Sequence, residues 1–239
     1  MGYSSLRSCI DDLEKNGHLI RISKEVDPNL EMASIHLEEF KNSGKAILFE
    51  NVKGSKYPAV SNIFGTIDRS NFIFRKSIKK VKKLIDLKMN PINGFKDPIS
   101  SLKSAVYATM ALPKKVSFPK DFEEIKISEI PQIKCWPDDG GAFITLPQVY
   151  SEDILNPGIM NSNLGMYRIQ ISGNEFIKDK EIGLHYQIHR GIGIHQKHAV
   201  KNGETLKVSI FIGGPPSHTF AAVMPLPDGM SEITFAGIL

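Results

Sequence analysis

The apolar positions in the first third of the chain switch between helical and strand-like spacing. Leu6, Ile10 and Leu13 recur three or four residues apart, which is typical of an amphipathic helix. Short apolar runs bounded by Gly, Pro and Lys instead predict strands. The predicted elements are, in order, a helix capped by Ser5 and ended by Gly17, a strand at 19–22, a helix from Asp27-Pro28 to near Gly44, and strands at 46–52 and 59–65. This part of the chain is therefore predicted to be a small α/β domain.

After residue 125 the pattern changes to strand-like runs separated by turns. The runs are IPQIKCW, GAFITLPQVY, MYRIQISGNEFI, LHYQIHRGI and LKVSIFIGG. Turn residues lie between them, as in Asp138-Asp139-Gly140-Gly141 and Ser172-Gly173-Asn174. The pattern predicts a mostly antiparallel sheet or barrel. Segments rich in Pro and Lys place a boundary near residue 105, so residues 1–105 and 106–239 are predicted to form two domains.

A basic stretch between Arg75 and Lys88 allows two interpretations. It contains seven basic residues, which would suit a phosphate-binding or nucleic-acid-binding face. Ile78, Val81 and Ile85 recur among them at helical spacing, however, and no aromatic residues are interleaved. A solvated amphipathic helix with one buried stripe is therefore the favoured interpretation.

Composition narrows the function class without fixing it. The formal net charge is +4, from 30 Lys and Arg against 26 Asp and Glu, which is too mild a bias to indicate a nucleic-acid-binding protein. Cys9 and Cys135 form no metal-binding motif or disulfide framework, so a cytoplasmic location is expected. No signal peptide is predicted at the N-terminus, and no apolar run is long enough to predict a membrane span.

Four of the seven histidines fall close together, which raises the possibility of a metal site. They are His185, His189, His195 and His198. The run HYQIH imitates the HExxH zinc motif but lacks its Glu, and on a strand His185 and His189 would share one face. Taken singly, each histidine is more typical of an ordinary polar or buried residue than of a ligand.

Three further residues have side chains suited to binding ions. The oxygen of Asn163 suits a hard cation, and the planar guanidinium of Arg168 suits a carboxylate or phosphate. The alternative is a loop Asn beside a surface Arg. Glu232 suits either a cation or the capping of a helix. Ordinary nucleotide motifs are missing, because GIGIHQ lacks the third Gly of the dinucleotide fingerprint and the chain has no P-loop or GxSxG elbow.

Several segments together resemble the UbiD family of decarboxylases. SLRSCIDDLEKNGHLIRISKEVDPNLEMA, AILFENVKG and NIFGT resemble its N-terminal domain, whereas NLGMYRIQ, HYQIHRG, VSIFIGGPP and PDGMSEITFAGIL resemble its flavin-binding core, in the expected order. The resemblance implies an α+β fold in which a small N-terminal α/β domain is followed by a split β-barrel related to flavin reductases.

The resemblance also implies a cofactor and its ligands. In this family, prenylated FMN (prFMN) binds on the barrel, and a divalent metal, usually Mn²⁺ and often with K⁺ nearby, bridges its phosphate to the protein. Carried over by position, Asn163, His189 and Glu232 would bind the metal, with His185 as the competing histidine. The residues expected to line the cofactor are Asn163, Met166, Tyr167, Arg168, His185, Tyr186, Gln187, Arg190 and Gly191.

The implied activity is non-oxidative decarboxylation of an α,β-unsaturated or aromatic acid, such as a polyprenyl-hydroxybenzoate or anhydromevalonate phosphate. Arg168 would hold the substrate carboxylate, and Glu232 would join the carboxylate network. A flavin prenyltransferase would supply the cofactor, and the protein would form a homo-oligomer. Family members continue past the match to Leu239 with a segment that carries the proton donor. A fragment, a second polypeptide that completes the site, or a non-catalytic flavin-binding subunit are therefore all expected alternatives.

Overall fold

A three-stranded sheet forms the centre of the first part of the chain in the computed structural model, which describes residues 2–79, 81–82, 109, 112–114, 116–226 and 230–239. β1 (Leu19–Ile22) pairs in parallel with β2 (Ala46–Phe49), which pairs antiparallel with β3 (Ala59–Ser61). The surrounding helices are α1 (Leu6–Lys15), α2 (Glu31–Lys41) and α3 (Ile67–Ile73). Every residue of β2 is buried, so the central strand is covered on both faces.

Helix α1 begins as its sequence predicts. The Ser5 Oγ accepts a hydrogen bond from the backbone N of Ser8 at 3.1 Å, and the Ser8 hydroxyl lies 3.3 Å from the Ser5 N. This reciprocal capping satisfies backbone donors that the first helical turn leaves unpaired. Leu13, on the apolar face of the helix, is fully buried.

Helix α2 begins later than predicted, at Glu31 rather than at Asp27-Pro28. Residues 28–30 pair instead with a distant segment: the Leu30 N donates to the Lys134 O at 2.9 Å, and the Lys134 N donates to the Pro28 O at 3.1 Å. Tertiary pairing therefore takes up the backbone groups that the predicted first turn would have used.

Two antiparallel sheets follow residue 125. The strands are β4 (Phe143–Ile144), β5 (Gln148–Glu152), β6 (Ser162–Gly165), β7 (Ile169–Gln170), β8 (Gly183–Leu184) and β9 (Val208–Phe211). One sheet has the order β4-β7-β8, and the other has β6-β5-β9. The predicted antiparallel pairing is confirmed. Within the described ranges neither sheet closes on itself, and the split barrel stays a prediction.

The predicted strand LHYQIHRGI is wrong beyond Leu184. The chain turns after that residue, with the Arg190 N donating to the Gln187 O at 3.0 Å, and α4 (Gly191–Lys201) begins. Gly193 permits this sharp turn into the helix, because a methyl group there would come within 2.6 Å of the Ile188 carbonyl carbon. Two further short helices in this part are α5 (Pro216–Ala221) and α6 (Glu232–Ile238).

The first and last helices share one hydrophobic core. Leu13 of α1 and Ile73 of α3 belong to the same buried cluster as Ala221 of α5 and Phe235 of α6. The rings of Phe74 and Phe220 lie 4.8 Å apart within it. The N-terminal elements therefore help to hold the two C-terminal helices in place.

The basic stretch is described only in part. Val81 is buried and Ile78 packs against the shared core, in agreement with an amphipathic helix. Residues 83–88 and the boundary predicted near residue 105 lie outside the described residues, so the division into two domains stays a prediction. No helix in the described ranges is long and apolar enough to cross a membrane.

One buried arginine fastens the loop after β3. The guanidinium of Arg69 donates to three backbone carbonyls: those of Asn62 at 2.6 Å, Gly44 at 2.8 Å and Ile63 at 2.9 Å. The residue is almost fully buried, and burial lowers the pKa of its guanidinium. Three accepting carbonyls offset part of the cost of burying this cation.

Candidate functional site

A cleft of about 580 Å³ lies where the β6–β7 connection, the turn before α4 and the end of α5 meet. It is lined by Gly165, Met166, Tyr167, Arg168, His185, Tyr186, Gln187, Arg190, Ala222 and Val223. Seven of the nine residues expected to line a cofactor are among these. The other two, Asn163 and Gly191, are in contact with each other. They lie so close that a methyl group on Gly191 would overlap the Asn163 Oδ1.

Arg168 is one of two arginines that line the cleft. Its side chain is 49% exposed, and its Nη2 lies 3.3 Å from the Oδ1 of Asp139. Its guanidinium carbon also lies 4.1 Å from the centre of the Phe143 ring, a cation–π contact. The sequence identified Arg168 but missed its partner Asp139, since the Asp-Asp-Gly-Gly signal indicated only a turn.

The loop that carries Asp139 packs tightly against the turn at residues 172–173. A methyl group on Gly141 would overlap the Ser172 carbonyl, and one on Gly173 would overlap the Gly140 carbonyl. The Ala142 N donates to the Ser172 Oγ at 2.9 Å. Glycine is required at both positions because the two backbones approach each other too closely for a side chain.

The start of α4 is a second electropositive feature beside the cleft. Its N-cap residue, Arg190, makes no side-chain capping bond, so the first backbone N–H groups of the helix have no such partner. The Arg190 side chain lines the cleft and its Nε lies 3.3 Å from the Gln187 Oε1. Helix N-termini attract anions, and a guanidinium beside one strengthens that attraction.

Asn163 and Glu232 offer oxygen atoms next to the cleft. Glu232 is the first residue of α6, and its Oε2 accepts a hydrogen bond from the Leu164 N at 3.4 Å. Burial raises the pKa of Glu232, which has no ion pair within the described part of the chain. The Asn163 Nδ2 lies 3.4 Å from the Tyr167 hydroxyl, and among the described residues no hydrogen bond to its amide oxygen is seen. A half-buried carboxylate and an amide oxygen fit a hard divalent cation.

The four clustered histidines separate into two pairs. His185 lines the cleft and packs edge-on against Phe143, with ring centres 5.6 Å apart, while His189 is exposed in the turn before α4. His195 and His198 lie on α4, where their Nδ1 atoms contact Ser151 at 2.9 Å and Asp153 at 2.8 Å. The strand predicted to place His185 and His189 on one face does not form. Within the described residues, no three His, Cys, Asp or Glu side chains group around a common point.

Two family models match the chain in tandem. One, described as the 3-octaprenyl-4-hydroxybenzoate carboxy-lyase N-terminal domain, matches residues 10–88. The other, described as the UbiD 3-octaprenyl-4-hydroxybenzoate carboxy-lyase Rift-related domain, matches residues 110–239. The second match alone covers more than half of the chain.

Similar proteins cover the chain from end to end. A Chlamydia pneumoniae protein, named as one of the subunits of a 4-hydroxybenzoate decarboxylase, is 35% identical over 246 residues, which covers 99% of this chain and 40% of that protein. The vanillic acid decarboxylase of Sedimentibacter hydroxybenzoicus, in its closed form, has a TM-score of 0.74 at 25% identity, covering 100% of this chain and 48% of that one.

A third comparison comes from Pelotomaculum thermopropionicum. An evolved dimeric form of its UbiD-class enzyme HmfF, solved in complex with prFMN, has a TM-score of 0.72 at 21% identity and shows a likeness of fold alone. The match covers 99% of this chain and 51% of that one. The chain thus spans about half, or somewhat less, of the length of these similar proteins.

Proposed function

The chain belongs to the UbiD family, and from that premise we propose that it forms the flavin-binding part of a non-oxidative decarboxylase. The observation that carries the proposal is the half-exposed guanidinium of Arg168 in a cleft of about 580 Å³. A cleft of this volume lies within the range of cofactor sites. The named substrates of two similar proteins, 4-hydroxybenzoate and vanillic acid, favour an aromatic carboxylic acid over another unsaturated acid.

Prenylated FMN is the proposed cofactor. The Tyr167 and Tyr186 rings, with centres 6.5 Å apart, offer apolar faces for a flat ring system. Arg190 and the start of α4 offer a positive site for its phosphate. When bound, the cofactor would supply an acceptor for the electron pair that remains as carbon dioxide leaves.

We further propose that Asn163 and Glu232 hold a divalent metal, for which Mn²⁺ is the best chemical match. A histidine is the expected third ligand. His185 lines the cleft and His189 does not, although His189 lies closer along the chain to the α4 terminus. The metal would neutralise phosphate charge near Arg190, and K⁺ would be an additional ion of the same site.

The role proposed for Arg168 is to bind and orient the substrate carboxylate. Charge-assisted hydrogen bonds from its free donors would fix the bond between the carboxylate and the ring carbon toward the flavin. Tyr167 and Tyr186 would exclude water from that bond. The products balance as carbon dioxide and the parent arene once a proton has replaced the carboxylate on the ring carbon. We propose that a protonated acid of the complete decarboxylase site delivers that proton.

The test is expression of the 239-residue chain together with a flavin prenyltransferase. We expect a flavin to co-purify, identified by its absorbance spectrum and mass. Arg168→Ala is expected to retain the flavin but to lose binding of 4-hydroxybenzoate and vanillate. Arg7→Ala is the control, because it makes the same charge change on an exposed residue outside the cleft.

The outcomes separate the proposed function from its alternative. Carbon dioxide release by the chain alone would show a complete site, and flavin binding without turnover would support a subunit or part that requires the remaining half. A chain that binds neither flavin nor Mn²⁺ would refute the site assignment. Equal carboxylate binding by Arg168→Ala and the unmodified chain would refute the role of Arg168.

A further inference from the structure

Arg168 is held by two contacts that leave most of its donors free. The Arg168 Nη2 donates to the Asp139 Oδ1 at 3.3 Å, and the guanidinium carbon lies 4.1 Å from the centre of the Phe143 ring. An arginine has five N–H donors, so the remaining ones can reach a ligand in the cleft. Without these supports, the long side chain would sample many rotamers, and ordering them would weaken ligand binding.

Asp139 is itself fixed in place. Its Oδ2 accepts a hydrogen bond from the Trp136 N at 3.1 Å, and its side chain is only 12% exposed. The loop that carries Asp139 packs closely against residues 172–173, because the backbone at Gly141 lies next to theirs. The Ile171 N also donates to the Ala142 O at 2.8 Å, which continues the pairing of β4 with β7. Backbone contacts therefore hold the loop that carries Asp139 against β7, the strand that follows Arg168.

We propose that Asp139 is a positioning residue for Arg168. Its carboxylate binds one end of the guanidinium so that the remaining donors face the cleft. This inference rests on the proposed role of Arg168 as the carboxylate-binding group. The second support, Phe143, also packs against His185, whose backbone N donates to the Arg168 O at 3.1 Å, so the loop, the arginine and His185 form one connected set.

Two substitutions separate the pinning from the charge. Asp139→Asn removes the negative charge but keeps an oxygen that can accept from Nη2, whereas Asp139→Ala removes both. Any difference between them therefore reports the loss of the side-chain acceptor, which serves both Arg168 and the Trp136 N, rather than the loss of charge. Asp138 is exposed on the same loop, so Asp138→Asn and Asp138→Ala form a matched control pair.

The first measurement is of the arginine alone. The Nε–Hε signal of Arg168, assigned by its loss in Arg168→Lys, is followed by ¹⁵N relaxation in the unmodified chain and in the four variants. The order parameter is expected to fall below about 0.6 in Asp139→Ala and to stay high in Asp139→Asn and in both Asp138 variants. An unchanged value in Asp139→Ala would overturn the proposal, whatever the protein catalyses.

The second measurement is of carboxylate binding, with benzoate as the probe. Benzoate is expected to bind Asp139→Ala about threefold or more weakly than Asp139→Asn, since the alanine variant must order Arg168 on binding. The Asp138 pair should show equal affinities. Equal benzoate affinities in the two Asp139 variants would also overturn the proposal. If Arg168→Ala binds benzoate as well as the unmodified chain, the proposed function fails instead, and the relaxation result still decides the positioning role.

Discussion

Substitution of Gly191 by Ala tests the link between α4 and the proposed metal ligand. The added methyl group would overlap the Asn163 Oδ1 and come within 2.9 Å of its Cγ and 3.3 Å of its Cβ. Normal carbon–carbon contact begins at about 3.5 Å, so the amide group has to move by roughly 1 Å or rotate away. The backbone of Gly191 is helical, and no positive φ opposes the alanine.

The expected effect is large on binding and small on folding. Displacing a ligand or its support typically costs about 10- to 100-fold in metal affinity, and we expect that range for Mn²⁺ binding by Gly191→Ala. The free energy of unfolding should change by less than about 1.5 kcal/mol, because the clashing atoms end a flexible side chain. Mn²⁺ affinity is measured by isothermal titration and stability by urea unfolding.

Val200→Ala is the control for this experiment. Val200 is exposed on the same helix and outside the cleft, so its substitution should leave Mn²⁺ affinity unchanged. Wild-type Mn²⁺ affinity in Gly191→Ala would refute the reasoning that Asn163 is a ligand. A loss of stability well above about 1.5 kcal/mol would show instead that the Gly191 contact is structural.

Three other predictions concern stability. Arg69→Met should lower the free energy of unfolding by about 2 kcal/mol or more, because the carbonyls of Asn62, Ile63 and Gly44 lose the Arg69 donor; a change below about 1 kcal/mol in urea unfolding would contradict this. Burial lowers the pKa of His195 in the folded state, so the unfolded state binds more protons and stability should fall as the pH drops below about 6.5. His195→Asn should flatten that part of the pH–stability curve, and an identical slope in the variant would rule out His195 as the cause. Burial raises the pKa of Glu232, so the stability of the metal-free protein should fall as the pH rises above about 4.5. Glu232→Gln should therefore be more stable than the unmodified metal-free protein at about pH 8 and yet bind Mn²⁺ more weakly; lower stability at that pH would contradict the pKa direction.

The sequence predicted the elements that depend on local chemistry. Ser5 and the spacing of Leu6, Ile10 and Leu13 define α1 because capping and amphipathicity are short-range properties. The mixed α/β fold and the antiparallel pairing after residue 125 were likewise predictable from periodicity and turn residues.

The sequence failed where distant segments decide the local structure. Residues 28–30 would suit a helix start, but they pair with Lys134. The run after Leu184 has the pattern of a strand because Tyr186 and Ile188 alternate with polar residues. In the structure, however, Gly193 packs closely against the turn at Ile188, and a helix begins at Gly191. Single-sequence patterns do not contain these contacts.

The candidate site was predictable only through family resemblance. Composition alone gave no reason to separate His185 from His195, whose different surroundings depend on the turn before α4. Asp139 was missed because its partner Arg168 lies 29 residues further along the chain. A signal existed in principle, since two adjacent acids before a Gly pair supply a fixed carboxylate as well as a turn.

The core shared by α1, α3, α5 and α6 makes the site and the N-terminal helices thermodynamically linked. Glu232 starts α6, and Phe235 of the same helix packs in one cluster with Leu13 of α1. Any ligand that binds only the folded site adds to the stability of this whole cluster by mass action. Saturating the cleft should therefore slow hydrogen exchange and proteolysis in α1, even though α1 contributes no residue to the lining of that cleft.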